Sequence, residues 1–162
     1  MKKTLLAIIL ILAMILCCGC DGSEEQPKNC TVGGSLQNDD FKITFQGIEE
    51  YVDTDEFAMD IPAKGKTFIV LKFTVEGIGD EDAYVNMFNE DSYCDDVAID
   101  TKMLFDYEGD EIWGDVEVGK TRNGYVAYEV DKNWEKIEFI YQWDTWDDDA
   151  TMTFTAYNKD LK

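Results

Sequence analysis

The sequence predicts an all-β fold, an antiparallel β-sandwich, that follows an export signal and a flexible tether. Beyond the N-terminal leader, apolar and polar residues alternate with a period of two in several short runs. These runs are rich in β-branched and aromatic residues and are separated by clusters of Gly, Asp and Asn. No stretch after the leader sustains the apolar spacing of an amphipathic helix, so the runs are expected to be strands.

Residues 1–19 are predicted to be a lipoprotein signal peptide. Lys2 and Lys3 form a basic start, and an unbroken apolar run covers residues 5–16. This run is too short to cross a hydrocarbon core of roughly 30 Å as a helix. A cleaved export signal is therefore favoured over the alternative, an uncleaved membrane anchor.

A cysteine at the end of the leader is predicted to carry a lipid. Gly19 is the small residue expected immediately before the modified cysteine of a lipoprotein, and it indicates Cys20. Cys18 is the alternative, because Cys17 stands where a leucine is preferred. A diacylglyceryl cysteine supplies two acyl chains, which anchor stably at about 0.8 kcal/mol per buried methylene. The expected location is the extracytoplasmic face of the cell membrane, with the lipid holding the protein there.

The mature chain is predicted to divide into a tether and one domain. Residues 20–40 comprise the lipidated cysteine and a polar segment with Gly, Ser, Asn and Pro27, which is typical of a flexible tether. Residues 41–162 form the β-sandwich domain. Alternation of apolar residues predicts strands within it at 41–45, 67–75, 124–130, 137–143 and 152–156.

Two segments of the domain resemble a known family. Residues 65–75 resemble the first core strand of the immunoglobulin-like domains of unknown function in Gram-positive surface lipoproteins. Residues 118–121 and 124–130 resemble their second hallmark, a turn and strand that precede a final pair of strands. The likeness extends over about residues 41–157. It implies an immunoglobulin-like β-sandwich and an extracytoplasmic address, and it brings no catalytic residues with it.

Composition excludes several classes of function. The chain has 35 Asp and Glu against 14 Lys and Arg, a net charge of −21. Such a surface repels nucleic acids and anionic lipid head groups, so membrane attachment must be covalent or hydrophobic. The sequence contains no histidine, which excludes Ser-His-Asp and Cys-His catalytic machinery.

Residues 114–121 match the phosphate-loop pattern G-x-x-x-x-G-K-T, but no nucleotide is expected there. That mechanism needs a helix after the loop to bind the phosphate. Here a strand pattern follows, and Asp115 and Glu117 would repel phosphate. The segment is predicted to be a turn between two strands.

No cofactor is predicted, and calcium is the one alternative left open, because calcium binds clustered oxygen ligands. None of the acidic clusters has the EF-hand spacing, so solvated surface loops are favoured over an ion site. The clusters are Asp53, Asp55 and Glu56; Asp80, Glu81 and Asp82; Asp91, Asp95 and Asp96; and, the densest, Asp144 with Asp147, Asp148 and Asp149.

Three other residues are candidates for a special role. Cys30 and Cys94 are the only cysteines after Cys20, and outside the cytoplasm they could form a disulfide or remain two thiols. Trp146 lies among the acids of the densest cluster. An exposed aromatic there would be a ligand contact for sugars, peptides or cationic groups, with a packing contact as the alternative.

These features predict a non-enzymatic binding or interaction module whose ligand is an envelope protein or glycan. A glycan hydrolase is one alternative, and it would need two carboxylates about 5–9 Å apart around a cleft. A sensor or inhibitor that binds an envelope protein through an exposed strand edge is another.

Overall fold

The computed structural model describes residues 28–86, 88–144, 146–147 and 149–161. This part of the chain contains eleven strands and one short 3₁₀ helix, Asn158–Asp160. The strands are β1 (Asn29–Thr31), β2 (Ser35–Gln37), β3 (Phe41–Tyr51), β4 (Lys66–Gly77), β5 (Ala83–Val85), β6 (Glu90–Cys94), β7 (Val97–Ala98), β8 (Gly114–Val116), β9 (Thr121–Asp131), β10 (Lys136–Gln142) and β11 (Thr151–Tyr157).

The strands form two main sheets and one small one. One main sheet has the order β1-β11-β10-β6-β7, the other has the order β2-β3-β4-β9, and β5 pairs with β8. All pairs are antiparallel except β1 with β11, which is parallel. The predicted all-β antiparallel sandwich is confirmed.

Alternating aromatic residues fill the space between the two main sheets. Phe73 on β4 lies at the centre, with its ring 4.9 Å from Phe45, 5.2 Å from Phe154 and 5.4 Å from Phe139. All four side chains are at most 1% exposed. Their strands were predicted from the period-two pattern, which sends every second side chain into the core.

A second, smaller cluster lies on the outer face of β4 and β9. Phe68 and Val70 of β4 pack there with Tyr125 and Ala127 of β9, under Leu104. Leu104 belongs to segment 99–113, which runs along the free edge of β9 and pairs with it at Thr101–Tyr128 and Glu111–Tyr125. The segment thus covers the outer face of the sheet at that edge.

The prediction that the tether extends to residue 40 is wrong. Cys30 on β1 pairs with Phe154 on β11, and Leu36 on β2 pairs with Ile43 on β3. Leu36 is buried in the main core. Strands of three residues are too short to show alternation, so these two edge strands have no sequence signal of their own. Residues 1–27, with the predicted signal peptide and Cys20, lie outside the described residues.

Of the two alternatives for Cys30 and Cys94, a disulfide or two thiols, the structure has two thiols, because the two residues lie on strands that are not adjacent. Both thiols are free. In the five-stranded sheet, β11 and β10 separate β1 from β6, so three strand spacings of about 4.8 Å hold the two backbones roughly 14 Å apart. A disulfide needs Cα atoms within about 7 Å. Burial raises the pKa of each thiol to about 11, so both remain protonated at neutral pH.

The segment at residues 114–121 was predicted to be a turn between two strands; the turn is present but confined to residues 117–120, since residues 114–116 belong to β8 and residue 121 begins β9. It connects β8 to β9, the backbone N–H of Lys120 donates to the carbonyl of Glu117 at 2.9 Å, and Gly119 takes a left-handed φ of 68°. A strand rather than a helix follows, as the alternation indicated.

Candidate functional site

The late acidic loop, residues 143–150 between β10 and β11, was the densest acidic cluster in the sequence. Trp146 is 95% exposed there and contributes nothing to the core. Asp144 Oδ1 accepts the backbone N–H of Trp146 at 2.9 Å, and Asp147 Oδ1 accepts that of Asp149 at 2.9 Å. Both carboxylates therefore act as turn-forming acceptors.

The described aspartates of this loop are not gathered around one point. Asp149 pairs with Lys28 at 3.5 Å, and its side chain is almost fully solvated. Asp148 lies outside the described residues. The loop borders an open cleft of about 440 Å³ that Trp143 and Asp39 also line. Calcium binding by this loop therefore stays a prediction.

A different group of carboxylates does converge, and we call it the aspartate centre: Asp53, Asp60 and Asp106. Asp53 and Asp60 lie in loop 52–65 between β3 and β4, and Asp106 lies in segment 99–113. One carboxylate oxygen from each residue lies within 4.8 Å of the other two. Asp60 is 5% exposed, Asp53 is half-buried and Asp106 is exposed.

Hydrogen bonds across the aspartate centre tie the two loops together. Asp60 Oδ2 accepts the backbone N–H groups of Phe105 at 2.8 Å and Asp106 at 2.9 Å. Asp106 Oδ2 in turn accepts the backbone N–H of Met59 at 3.0 Å. Each loop thus holds the other through a carboxylate, which fixes both backbones without regular secondary structure.

The negative charge of the aspartate centre has no partner within the described part of the chain. No ion pair there includes Asp53, Asp60 or Asp106. Asp53 Oδ1 accepts the backbone N–H of Asp55 at 2.9 Å, but Asp53 Oδ2 is fully buried and accepts no hydrogen bond. Burial raises the pKa of the Tyr51 phenol, and the charges of the three aspartates raise it further.

The same two loops carry five large apolar side chains in solvent, besides Val52, which directly follows β3. They are between 62% and 83% exposed, and the hydrogen bonds of Asp60 and Asp106 hold their backbones side by side. We call this group the apolar loop surface; it consists of Phe57, Met59, Ile61, Met103 and Phe105.

A cleft of about 300 Å³ lies on the outer face of β4 beside Tyr107 and Lys72. Glu49 accepts hydrogen bonds there from Lys72 Nζ at 2.6 Å and from the Tyr107 hydroxyl at 2.5 Å. Burial alone would raise the pKa of Glu49, but these two hydrogen bonds bring it below its ordinary value. In contrast to the aspartate centre, the negative charge of Glu49 has a partner, the ammonium group of Lys72. The hydrogen bond from Tyr107 to Glu49 also attaches segment 99–113 to the sheet.

Sequence reasoning found only part of the aspartate centre. Asp53 belongs to one of the acidic clusters, but Asp60 and Asp106 stand outside all of them. The available signal was the apolar residues Phe57, Met59 and Ile61, which stand at every second position in the stretch between the runs that form β3 and β4.

Comparison with solved structures shows the same fold in three proteins of low sequence identity. A candidate lipoprotein (ycdA) of Bacillus subtilis is 17% identical with a TM-score of 0.60, over 78% of this chain and 39% of that one. The yjhA protein of Bacillus subtilis is 16% identical with a TM-score of 0.57, over 76% of this chain and 96% of that one. A conserved hypothetical protein of Bacillus anthracis is 16% identical with a TM-score of 0.51, over 67% and 87%.

This chain spans about two fifths of the length of the ycdA protein. None of the curated proteins compared with the chain matches it. Among the described residues, no helix has the length and apolar character needed to cross a membrane. The family model described as "Domain of unknown function (DUF4352)" matches residues 30–151. Because that match covers most of the sequence, the chain belongs to the DUF4352 family, which confirms the resemblance to a β-sandwich family of unknown function.

Proposed function

We propose that the protein is a lipid-anchored extracytoplasmic binding module without catalytic activity, and that its ligand contacts the apolar loop surface. The observation that carries this proposal is the exposure of five large apolar side chains on two loops that are fixed to each other. The predicted lipidation at Cys20 supports the anchor, as does the likeness to a candidate lipoprotein.

The apolar loop surface has the properties of a binding surface. Burying apolar surface is favourable by about 25 cal/mol for each Å² removed from water, so exposed apolar side chains leave that free energy unused. Exposed apolar residues that are grouped together mark interaction sites. Phe and Met are also enriched in protein interfaces. Because Asp60 and Asp106 already hold the two backbones, little conformational entropy remains to be lost when a partner binds.

An envelope protein suits this surface better than a glycan does. Sugars need hydrogen-bond partners beside the aromatic rings, whereas the backbone N–H groups of Met59, Phe105 and Asp106 are already used by the aspartate centre. The net charge of −21 favours a partner with an apolar patch bordered by basic residues, since opposite charges increase the association rate.

The geometry of the acids disfavours the hydrolase alternative. A glycosidase needs two carboxylates about 5–9 Å apart around a cleft that admits a sugar. The oxygens of the aspartate centre lie within 4.8 Å of one another, and none of its residues lines the cleft beside Tyr107. Their hydrogen bonds go to loop backbone, as expected for residues that fix a surface.

The proposal is tested with the double variant Phe57→Ser/Phe105→Ser. The full chain, purified in detergent, is used to capture proteins from the envelope fraction, and the affinity for the captured partner is then measured. We expect about a 30- to 1,000-fold loss of affinity, since two central apolar contacts of about 1–2 kcal/mol each sum to about 2–4 kcal/mol.

Two exposed aromatic residues elsewhere serve as matched controls. Phe88 is 85% exposed and Trp146 is 95% exposed, and both lie outside the two loops. Phe88→Ser and Trp146→Ala are expected to leave the affinity unchanged. Loss of binding in Trp146→Ala with full binding in the double variant would move the site to the late acidic loop.

A further inference from the structure

We propose that the aspartate centre is a calcium site that joins loop 52–65 to segment 99–113. The proposal rests on the geometry of the three carboxylates and does not depend on the binding function proposed above. It also differs from calcium binding by the late acidic loop, where Asp144 and Asp147 serve as turn acceptors and Asp149 pairs with Lys28.

The spacing of the oxygens fits one ion. Calcium binds oxygen ligands at about 2.3–2.6 Å, so two ligands of the same ion can be at most about 5 Å apart. One oxygen from each of Asp53, Asp60 and Asp106 meets this limit, since all three lie within 4.8 Å of one another. Carboxylates that bind in bidentate fashion, backbone carbonyls and water would supply the remaining ligands of a six- to eight-coordinate ion.

A second observation points independently to a cation at this position. Asp53 Oδ2 is fully buried and has no hydrogen-bond partner. Asp60 is 5% exposed, and both of its hydrogen bonds within the described part of the chain use Oδ2, which leaves Oδ1 for a ligand. Buried carboxylate oxygens without a donor are costly. Since no lysine or arginine of the described residues pairs with any of the three, an external cation is the available compensation.

The chemistry of the ligands selects calcium. All three are carboxylates, and hard divalent cations prefer oxygen ligands. Magnesium requires a near-ideal octahedron and keeps most of its waters, whereas calcium accepts irregular ligand sets from loops. A partly exposed site of three carboxylates resembles extracellular calcium modules, which have dissociation constants of about 0.1–1 mM.

An ion at this position would act on the apolar loop surface. It would join the loop that carries Phe57, Met59 and Ile61 to the segment that carries Met103 and Phe105. The calcium concentration outside the cell would then control how firmly the two halves of that surface are held together.

The test measures thermal unfolding of the full chain, purified in detergent and freed of metal with EDTA. Calcium at ten times the dissociation constant is expected to raise the Tm by about 4 °C. Asp53→Asn and Asp106→Asn should abolish this rise, because each removes a charged ligand but keeps an acceptor for the loop. Without calcium, both variants should melt above the unsubstituted protein, since carboxylate repulsion is relieved; loss of a merely structural residue would lower the Tm instead.

Asp147→Asn is the matched control, with the same charge change in the late acidic loop, and it should retain the full calcium-dependent rise. Terbium luminescence excited through the tyrosines, including the adjacent Tyr51, gives a readout of occupancy that does not depend on stability. No rise in Tm and no luminescence with the unsubstituted protein would overturn the site. An equal rise with magnesium would overturn the choice of calcium, and loss of the rise in Asp147→Asn alone would move the site to the late loop.

Discussion

Asp60 is the residue on which the geometry of the two loops depends. Its side chain is buried, and Oδ2 accepts two backbone N–H groups from a segment 45 and 46 residues further along the chain. No local sequence pattern reports a contact over that distance. The sequence could indicate Asp53 through its acidic neighbours, but the partners of Asp53 are set by how segment 99–113 pairs with β9.

Two substitutions separate the hydrogen bonds of Asp60 from its charge. Asp60→Asn and Asp60→Ala both remove the charge, but only Asn keeps an acceptor for the N–H groups of Phe105 and Asp106. We expect Asp60→Ala to be about 1 kcal/mol less stable than Asp60→Asn, because two part-buried N–H donors would lose their acceptor. Urea unfolding in EDTA measures the difference, and equal stabilities would show that the two hydrogen bonds do not hold the loops.

Glu90 is a second residue whose environment has a measurable consequence. Burial raises the pKa of its carboxyl above 4.5, and the charges of Asp91 and Asp100 raise it further. The folded state therefore binds a proton more tightly than the unfolded state does. The contribution of Glu90 to stability is present below the unfolded pKa and is lost as the pH rises through the folded pKa.

We expect Glu90→Gln to be more stable than the unsubstituted protein at pH 7, with a difference that shrinks as the pH falls towards 4.5. Gln retains an acceptor for the Ser92 hydroxyl, which donates to Glu90 Oε2 at 2.7 Å. The measurement is the free energy of unfolding of both proteins across this pH range. A difference that does not change with pH would contradict the role given to the carboxyl charge.

At the scale of elements, alternation predicted the long strands well. The cores of β3, β4, β9, β10 and β11 all lie where the pattern placed them, since each sends every second residue into the sandwich. The two- and three-residue strands were not predicted, because such short pieces are defined by their neighbours and not by their own sequence. The five-residue β6 was also missed, because its sequence shows no apolar alternation. The uninterrupted apolar run of β4 was a sign that both of its faces are covered.

Leu104 is a buried residue of the segment that covers the outer face of β4 and β9. Leu104 is 6% exposed, whereas its neighbour Met103 is 62% exposed. We expect Leu104→Ala to lower the free energy of unfolding by about 2–4 kcal/mol, because it leaves a cavity over Phe68 and Val70. Met103→Ala is the control, with an expected change below about 0.5 kcal/mol. Similar effects of the two substitutions in urea unfolding would mean that segment 99–113 does not shield the sheet.

At the scale of the whole molecule, the folded part begins earlier than the composition suggested. The polar stretch before Phe41 looked like tether, yet β1 and β2 lie within it and complete one edge of each main sheet. What composition could predict was the absence of histidine-based chemistry and the strong negative charge. What it could not predict was the position of each acidic cluster on the surface, because that depends on which ends of the strands meet.

Strand β3 runs from one end of the sandwich to the other and separates the two loop regions described above. β3 begins at Phe41, near the end of the sandwich that holds Lys28 and the late acidic loop, and ends at Tyr51, next to loop 52–65. Its eleven residues span about 35 Å.

The eight residue steps from Cys20 to Lys28 span at most about 29 Å. With a lipid on Cys20, the end of the domain that carries Lys28 and the late acidic loop would be the tethered end, held within about 29 Å of the bilayer. The aspartate centre and the apolar loop surface, beyond the other end of β3, would then belong to the free end of the domain. A partner protein that approaches from outside the membrane would meet them there.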